Sequence, residues 1–255
     1  MKRLGFQMKT RRLLEVDLAR LAPLAPDEQR RRMTKLVGGG GHFSFNPMRD
    51  QFPDILNSQP PLFAPLGTSP VTEFKVIEER LKKDCRSAKE LAFNLQATRM
   101  LYGHFRQHDV VSHPYNFGSM SLGVERGIQY WVQSFYARGD LPVVTFIDPR
   151  GGQGLTTQAR DVAFAAMHAS IRERNPDFVN AILEIIQLPY DRQSKATEST
   201  SAPRVLRVHT LDGQPVYTFE EIDRMLTQTL RIWNEVCAEA AADTRRRASG
   251  TGPLL

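Results

Sequence analysis

Residues 119–148 read SMSLGVERGIQYWVQSFYARGDLPVVTFID, and the reading of this stretch decides the fold class. Apolar residues recur at alternate positions here, whereas the preceding segment repeats at helical spacing, so three strands are predicted at Ser119–Val124, Ile128–Ala137 and Pro142–Asp148. The turns between them, Glu125-Arg126-Gly127 and Arg138-Gly139-Asp140, are too short for a parallel crossover and predict an antiparallel meander. Alternation puts Ile128, Tyr130, Val132, Ser134 and Tyr136 on one face of the middle strand.

Working upstream, Ser87-Ala-Lys-Glu90 is a capping box, and a helix to about Gln107 carries one apolar stripe of Leu91, Leu95, Tyr102 and Phe105 and another of Phe93, Met100 and Leu101. Ser69-Pro70 opens an earlier helix with Phe74, Ile77 and Leu81 on its inner side. Downstream, the Gly-rich loop 149–154 leads into a helix from Thr156 or Thr157 to about Arg174, stopped by Asn175-Pro176. Ala181–Leu188 reads as an interior strand interrupted by Glu184 and Gln187. The polar run 191–203 is expected to be a disordered insertion. A hairpin follows, Val205–Thr210 and Val216–Tyr217 around Asp212-Gly213. A second capping box, Thr218–Glu221, starts a long helix with Phe219, Ile222, Leu226, Leu230, Trp233 and Cys237 on one face. The expected fold class is α/β (α+β): an αβββαβ core with a mixed sheet, an added C-terminal β-hairpin, a long C-terminal helix and an irregular basic N-terminal arm. Expected boundaries are 1–65 for the Pro/Gly-rich arm, 66–243 for a single domain and 244–255 for a basic disordered tail.

At 255 residues with 41% hydrophobic content the chain can bury a core without disulfide or metal staples, which excludes collagenous, disordered and disulfide-scaffold classes. Its formal charge is +6, and the excess sits at the ends: residues 1–40 carry ten Lys or Arg against four acids, and 244–255 carry three Arg and no acid, leaving a mildly acidic body. Cys85 and Cys237 form no CxxC pattern, so reduced, cytoplasmic life is expected. No apolar run approaches the roughly 18 residues of a membrane span, and the N-terminus lacks the apolar stretch of a signal peptide.

The order helix, three-strand meander, helix, strand over residues 87–188 resembles the core of the restriction-endonuclease-like, or PD-(D/E)XK, superfamily. That resemblance implies a module that cuts or binds nucleic acid, with Asp148 as the strand carboxylate, Glu125 as its partner acid, and a divalent cation, Mg2+, between them when the site is active. Arg150 stands where that family has lysine, and an arginine cannot act as a base, so a degenerate, binding-only core is favoured over an active one. Glu184 joins the candidate set because a carboxylate in an apolar strand needs a partner; a salt bridge to Arg160 or Arg172 is the plain alternative.

Other residues support other readings. Gly151, Gly152, Gly154, Thr156 and Thr157 lie between a strand and a helix, as a phosphate cradle would, although no P-loop or dinucleotide motif is present. His104, His108 and His113 fall near one helix end and suggest a metal only weakly, without the glutamate of HExxH. Tyr130, Trp131 and Phe135 read as strand packing before they read as a base-stacking surface. Lys2, Arg3, Lys9, Arg11, Arg12, Arg30, Arg31, Arg32, Lys35, Arg245, Arg246 and Arg247 are the candidate phosphate contacts for DNA. The leading expectation is therefore a nucleic-acid-associated protein binding through basic arms. The alternative is an accessory or interaction subunit that docks on a protein partner through its Pro-rich arm, and a further alternative is a phosphate-ligand enzyme using the loop after Asp148.

Overall fold

In the computed structural model, residues 13–38, 44–59, 70–121, 127–152, 154–191, 203–211 and 213–248 are described. The helices and strands run α1 (Glu15–Leu21), α2 (Pro26–Gly38), the single turns α3 (Asn46–Arg49) and α4 (Phe52–Ile55), α5 (Phe74–Asp84), α6 (Ala88–Gln107), β1 (Ser112–Pro114), β2 (Met120–Ser121), β3 (Gly127–Ile128), β4 (Ser134–Arg138), β5 (Leu141–Asp148), α7 (Thr157–Met167), β6 (Ile182–Gln187), β7 (Arg207–Thr210) and α8 (Phe219–Ala248). The α/β class is as read from the sequence: a mixed five-stranded sheet in the order β1-β4-β5-β6-β7. β5 and β6 are parallel and joined through α7, while the other neighbours are antiparallel.

The central strands explain their own position. β5 and β6 are buried almost throughout, as near-continuous apolar runs must be when both sheet faces are covered. Their register pairs Val144 with Leu183, Thr145 with Glu184, Phe146 with Ile185 and Asp148 with Gln187. Alternation then puts Val144, Phe146, Asp148, Leu183, Ile185 and Gln187 on one face. That face packs under α1, α7 and α8, and the other face, with Val143, Ile147 and Ile186, packs under α3 to α6. α7 is buried on nearly every side, from Val162 through Met167, because it lies between the sheet and a second helical layer. It widens into a π-turn at His168–Arg172, after which the Asn175 side chain donates to the carbonyls of Ser170 and Ile171.

Three expectations change. The middle strand of the meander is split: Gly127–Ile128 pairs with β2 in a separate two-stranded sheet, and the strand resumes at Ser134–Arg138, where Tyr136, Ala137 and Arg138 pair with β5. The alternation fails because the consecutive Tyr130 and Trp131 are both buried, Tyr130 against Phe146, and the Gln129 side chain donates to the Trp131 carbonyl. These aromatics are packing, and the neighbour of β4 is the unforeseen strand β1. At the other end, β7 pairs with β6, whereas residues 216–217 form no strand, so the hairpin has one arm in the sheet.

The N-terminal region is the third. Leu13, Val16, Leu18, Ala19 and Leu21 are core residues packed with α7 and α8, and α2 lies along α8 with Met33 buried. Arg30 of α2 pairs with Glu235 at 2.5 Å and Glu239 at 2.7 Å. Residues 44–48 are tied to α6 by Glu90, whose carboxylate accepts the Ser44 and Arg86 N–H groups, and by Asn94, which accepts from Met48 N–H and donates to the Ser44 carbonyl. Residues 13–38 and 44–59 are therefore part of the body, not a free arm: a basic amphipathic helix has the same pattern whether its apolar side meets a partner or its own core. At the C-terminus α8 continues to Ala248, into the expected tail, and the expected insertion at 191–203 lies mostly outside the described residues.

Candidate functional site

The C-terminal ends of parallel strands are where open α/β sheets place ligands, and Asp148 ends β5. Its side chain is fully buried on the face that carries α1. One oxygen accepts the Arg150 backbone N–H at 3.2 Å, and the other accepts from the Arg20 guanidinium at 3.4 Å. Arg150 in turn pairs with Asp17, so two acids and two arginines form one neutral network between α1 and the end of β5. Burial raises the Asp148 carboxyl above the ordinary carboxylate range despite Arg20, and burial also lowers Arg20. For Arg150 burial is the largest single influence and acts downward, but the hydrogen bond and charge of Asp17, with the charges of Asp148 and Glu15, together raise it. Asp17 and Arg20 were missed in the sequence; their one signal is two opposite charges at i and i+3 beside the apolar Val16, Leu18 and Leu21.

Glu184 is equally buried, but its register partner is Thr145, so it faces the α5 and α6 side, opposite Asp148. It accepts from Tyr136 Oη at 2.7 Å, Arg138 Nη2 at 2.6 Å and Thr145 Oγ1 at 3.2 Å. Burial, then the Glu184 charge, raises the Tyr136 phenol; for Arg138 burial is the largest influence and acts downward, but the hydrogen bond and charge of Glu184, with Tyr136, together raise it. The salt-bridge alternative for Glu184 thus holds with Arg138 in place of Arg160 or Arg172. Glu125 lies outside the described residues. Two carboxylates on opposite sides of a sheet cannot share one cation, and among the described residues no three His, Cys, Asp or Glu side chains converge as metal ligands. Asp148 and Glu184 therefore cannot hold one Mg2+ between them, the expected pairing of Asp148 with Glu125 falls outside the described residues, and Arg150 is bound to Asp17.

The loop after Asp148 is filled by the chain itself. A Cβ on Gly151 would stand 2.4 Å from the Tyr190 ring, and one on Gly154 would press on the Gln187 amide, while Gly152 has open space. Thr156 Oγ1 caps α7 by accepting Ala159 N–H, and Thr157 Oγ1 accepts from Arg160. Beside this loop Arg204 donates to the Pro149 carbonyl and is enclosed by the rings of Phe45, Phe93 and Tyr190, a buried cation that sequence reading did not single out. His104 and His108 stack edge-on at 4.8 Å, and His113 of β1 packs on Phe135 of β4. Of the candidate phosphate contacts, Arg30 pairs with α8, Arg31 and Arg32 both pair with Glu28, and Lys35 is exposed. Lys2, Arg3, Lys9, Arg11, Arg12 and the side chains of Arg245, Arg246 and Arg247 lie outside the description. No helix among the described residues is long and apolar enough to cross a membrane.

Fold and site together define a mixed α/β protein whose buried charges brace its own elements, rather than a nuclease core built around a cation. The chain belongs to the SocB family, described as a sliding clamp-binding bacterial toxin, which it matches over residues 16–243. It is 32% identical over 243 residues to the DNA replication inhibitor toxin SocB of Caulobacter vibrioides (strain NA1000 / CB15N), spanning 95% of this chain and 97% of that one. No solved structure matches. These matches overturn the restriction-endonuclease-like resemblance and the nuclease-like, DNA-binding reading built on it. A helix, meander, helix, strand order is a common outcome of short connections and carries no chemistry of its own.

Proposed function

We propose that this chain binds a sliding clamp and thereby inhibits DNA replication, by occupying a surface that replication proteins need. The observation that supports this reading is the family match across 16–243, which takes in both helical layers and the whole sheet. The site points the same way by its chemistry: Asp148 and Glu184 are committed to arginines of the chain itself, which favours docking over catalysis.

The part of the chain best suited to docking is the Pro-rich stretch after Gln59. Gln59 N–H donates to Ser112 on β1, and on the far side Thr72 bonds Asp54 and Tyr102, so the sequence PPLFAPLGTS of residues 60–69 lies between two anchored points. It offers Leu62, Phe63 and Leu66 among prolines, which limit the conformational entropy lost on binding. The test is binding of the full chain to a purified bacterial sliding clamp by biolayer interferometry, with clamp-dependent primer extension measured in parallel. Saturable binding and inhibition are expected, both weakened about tenfold or more by Leu62→Ala with Phe63→Ala. Absence of binding at micromolar clamp would sink the proposal; full binding by the double variant would move docking elsewhere on the chain.

A further inference from the structure

The sheet is wider than the helices that cover it. Where α7 gives way to its π-turn and to the short helix Pro176–Phe178, the face of β4 and β1 is left open as a groove of about 570 Å3. Tyr115, Phe135 and Phe178 are its aromatic residues, Leu141, 42% exposed, lines it with them, and the exposed acids Asp140 and Asp177 stand in the same lining. Lys and Arg are missing from that lining. Val179, 58% exposed, follows directly on Phe178. Pro114 at the end of β1 has no N–H, which works against a further strand adding at that edge and leaves the sheet face as the place to bind.

An occupant should present large apolar side chains on one side and cations beside them. Residues 1–12, MKRLGFQMKTRR, have that composition: Leu4, Phe6 and Met8 fall at alternate positions, and Lys2, Arg3, Lys9, Arg11 and Arg12 come with no acid. The attachment point is also right. Leu13 is buried in the same core cluster against which Tyr115 and Phe135 pack. Val16 lines a cleft with Gln133, which is two residues, or about 7 Å, from Phe135 along the chain. Twelve residues can span up to about 40 Å.

We propose that this groove binds the N-terminal segment 1–12 of the same chain, Leu4, Phe6 and Met8 against its aromatic residues and the flanking cations against Asp140 and Asp177. The interaction is independent of clamp binding. Its test is time-resolved trypsin cleavage after Lys9 in the full chain, comparing wild type with Phe6→Ser and with Asp140→Asn plus Asp177→Asn; the two aspartates are exposed, so the body stays folded, as melting curves will verify. Cleavage should be about tenfold faster in Phe6→Ser and about threefold faster in the double Asn variant. Equal rates in all three proteins overturn the proposal. Protection that grows with protein concentration between about 1 and 100 µM also overturns it, because the occupant would then be a second copy's segment.

Discussion

Replacing Arg20 by Met tests the charge network at the end of β5. Arg20→Met leaves Asp148, which has no solvent exposure, with the Arg150 N–H as its remaining hydrogen-bond donor among the described residues. Breaking a buried pair from one side costs about 3 to 5 kcal/mol, but Arg20 is 27% exposed and its contact is 3.4 Å, so about 2 kcal/mol at pH 7 is expected. The cost must depend on pH. Asp148 is raised in the folded protein, chiefly by burial, so its ionisation disfavours the fold as pH climbs from the unfolded carboxylate value through the folded one. Arg20 offsets that penalty only when Asp148 is charged. The difference between wild type and Arg20→Met should therefore be largest above the folded value of Asp148 and should fade as pH falls through it. Adding Asp148→Asn should restore at least half of the loss, because the uncompensated charge is gone while an oxygen remains for Arg150 N–H. Urea unfolding of the wild type, the single variant and the double variant between pH 4 and 8 measures all of this. A loss that is the same at pH 4 and pH 7, or a double variant as unstable as the single one, would refute the reasoning.

Asn94→Ala should cost about 2 to 3 kcal/mol in urea unfolding, since it strands the Met48 N–H and the Ser44 carbonyl; amide exchange at Met48 should rise by the same factor, and a loss below about 0.5 kcal/mol would mean that 44–48 does not depend on α6. Gly151→Ala should lower the melting temperature by several degrees because its Cβ would meet the Tyr190 ring at 2.4 Å, whereas Gly152→Ala, with open space, should leave it unchanged. Equal melting of the two variants would show that the loop does not pack on Tyr190.

Elements whose cause is local were legible. The Ser87 box is formed, with Ser87 Oγ accepting from Glu90 N–H and the Glu90 carboxylate reaching back to Arg86 N–H. The Thr218 box is fully reciprocal: Glu221 N–H donates to Thr218 Oγ1 and the Glu221 carboxylate accepts the Thr218 N–H. Where local and distant causes compete, the reading loses precision: Ser69-Pro70 is a good helix start, yet α5 begins at Phe74 with Glu73 at its N-cap. Alternation over 128–137 looked continuous, and only the burial of Tyr130 and Trp131 together broke it.

By itself, the sequence determined the α/β class, the two capped helices, the existence of strands β5 and β6, and the concentration of positive charge at the ends, because each follows from residues within a few positions of one another. The tertiary structure decided what the charges are for. Asp148 and Glu184 fall on opposite faces through strand register, and the partners of Asp148 and Arg150 come from α1, more than 120 residues away in the chain. The same packing turned residues 13–38 and 44–59 from an expected arm into part of the body. Periodicity shows that a segment has an apolar side; only the folded chain shows what covers it.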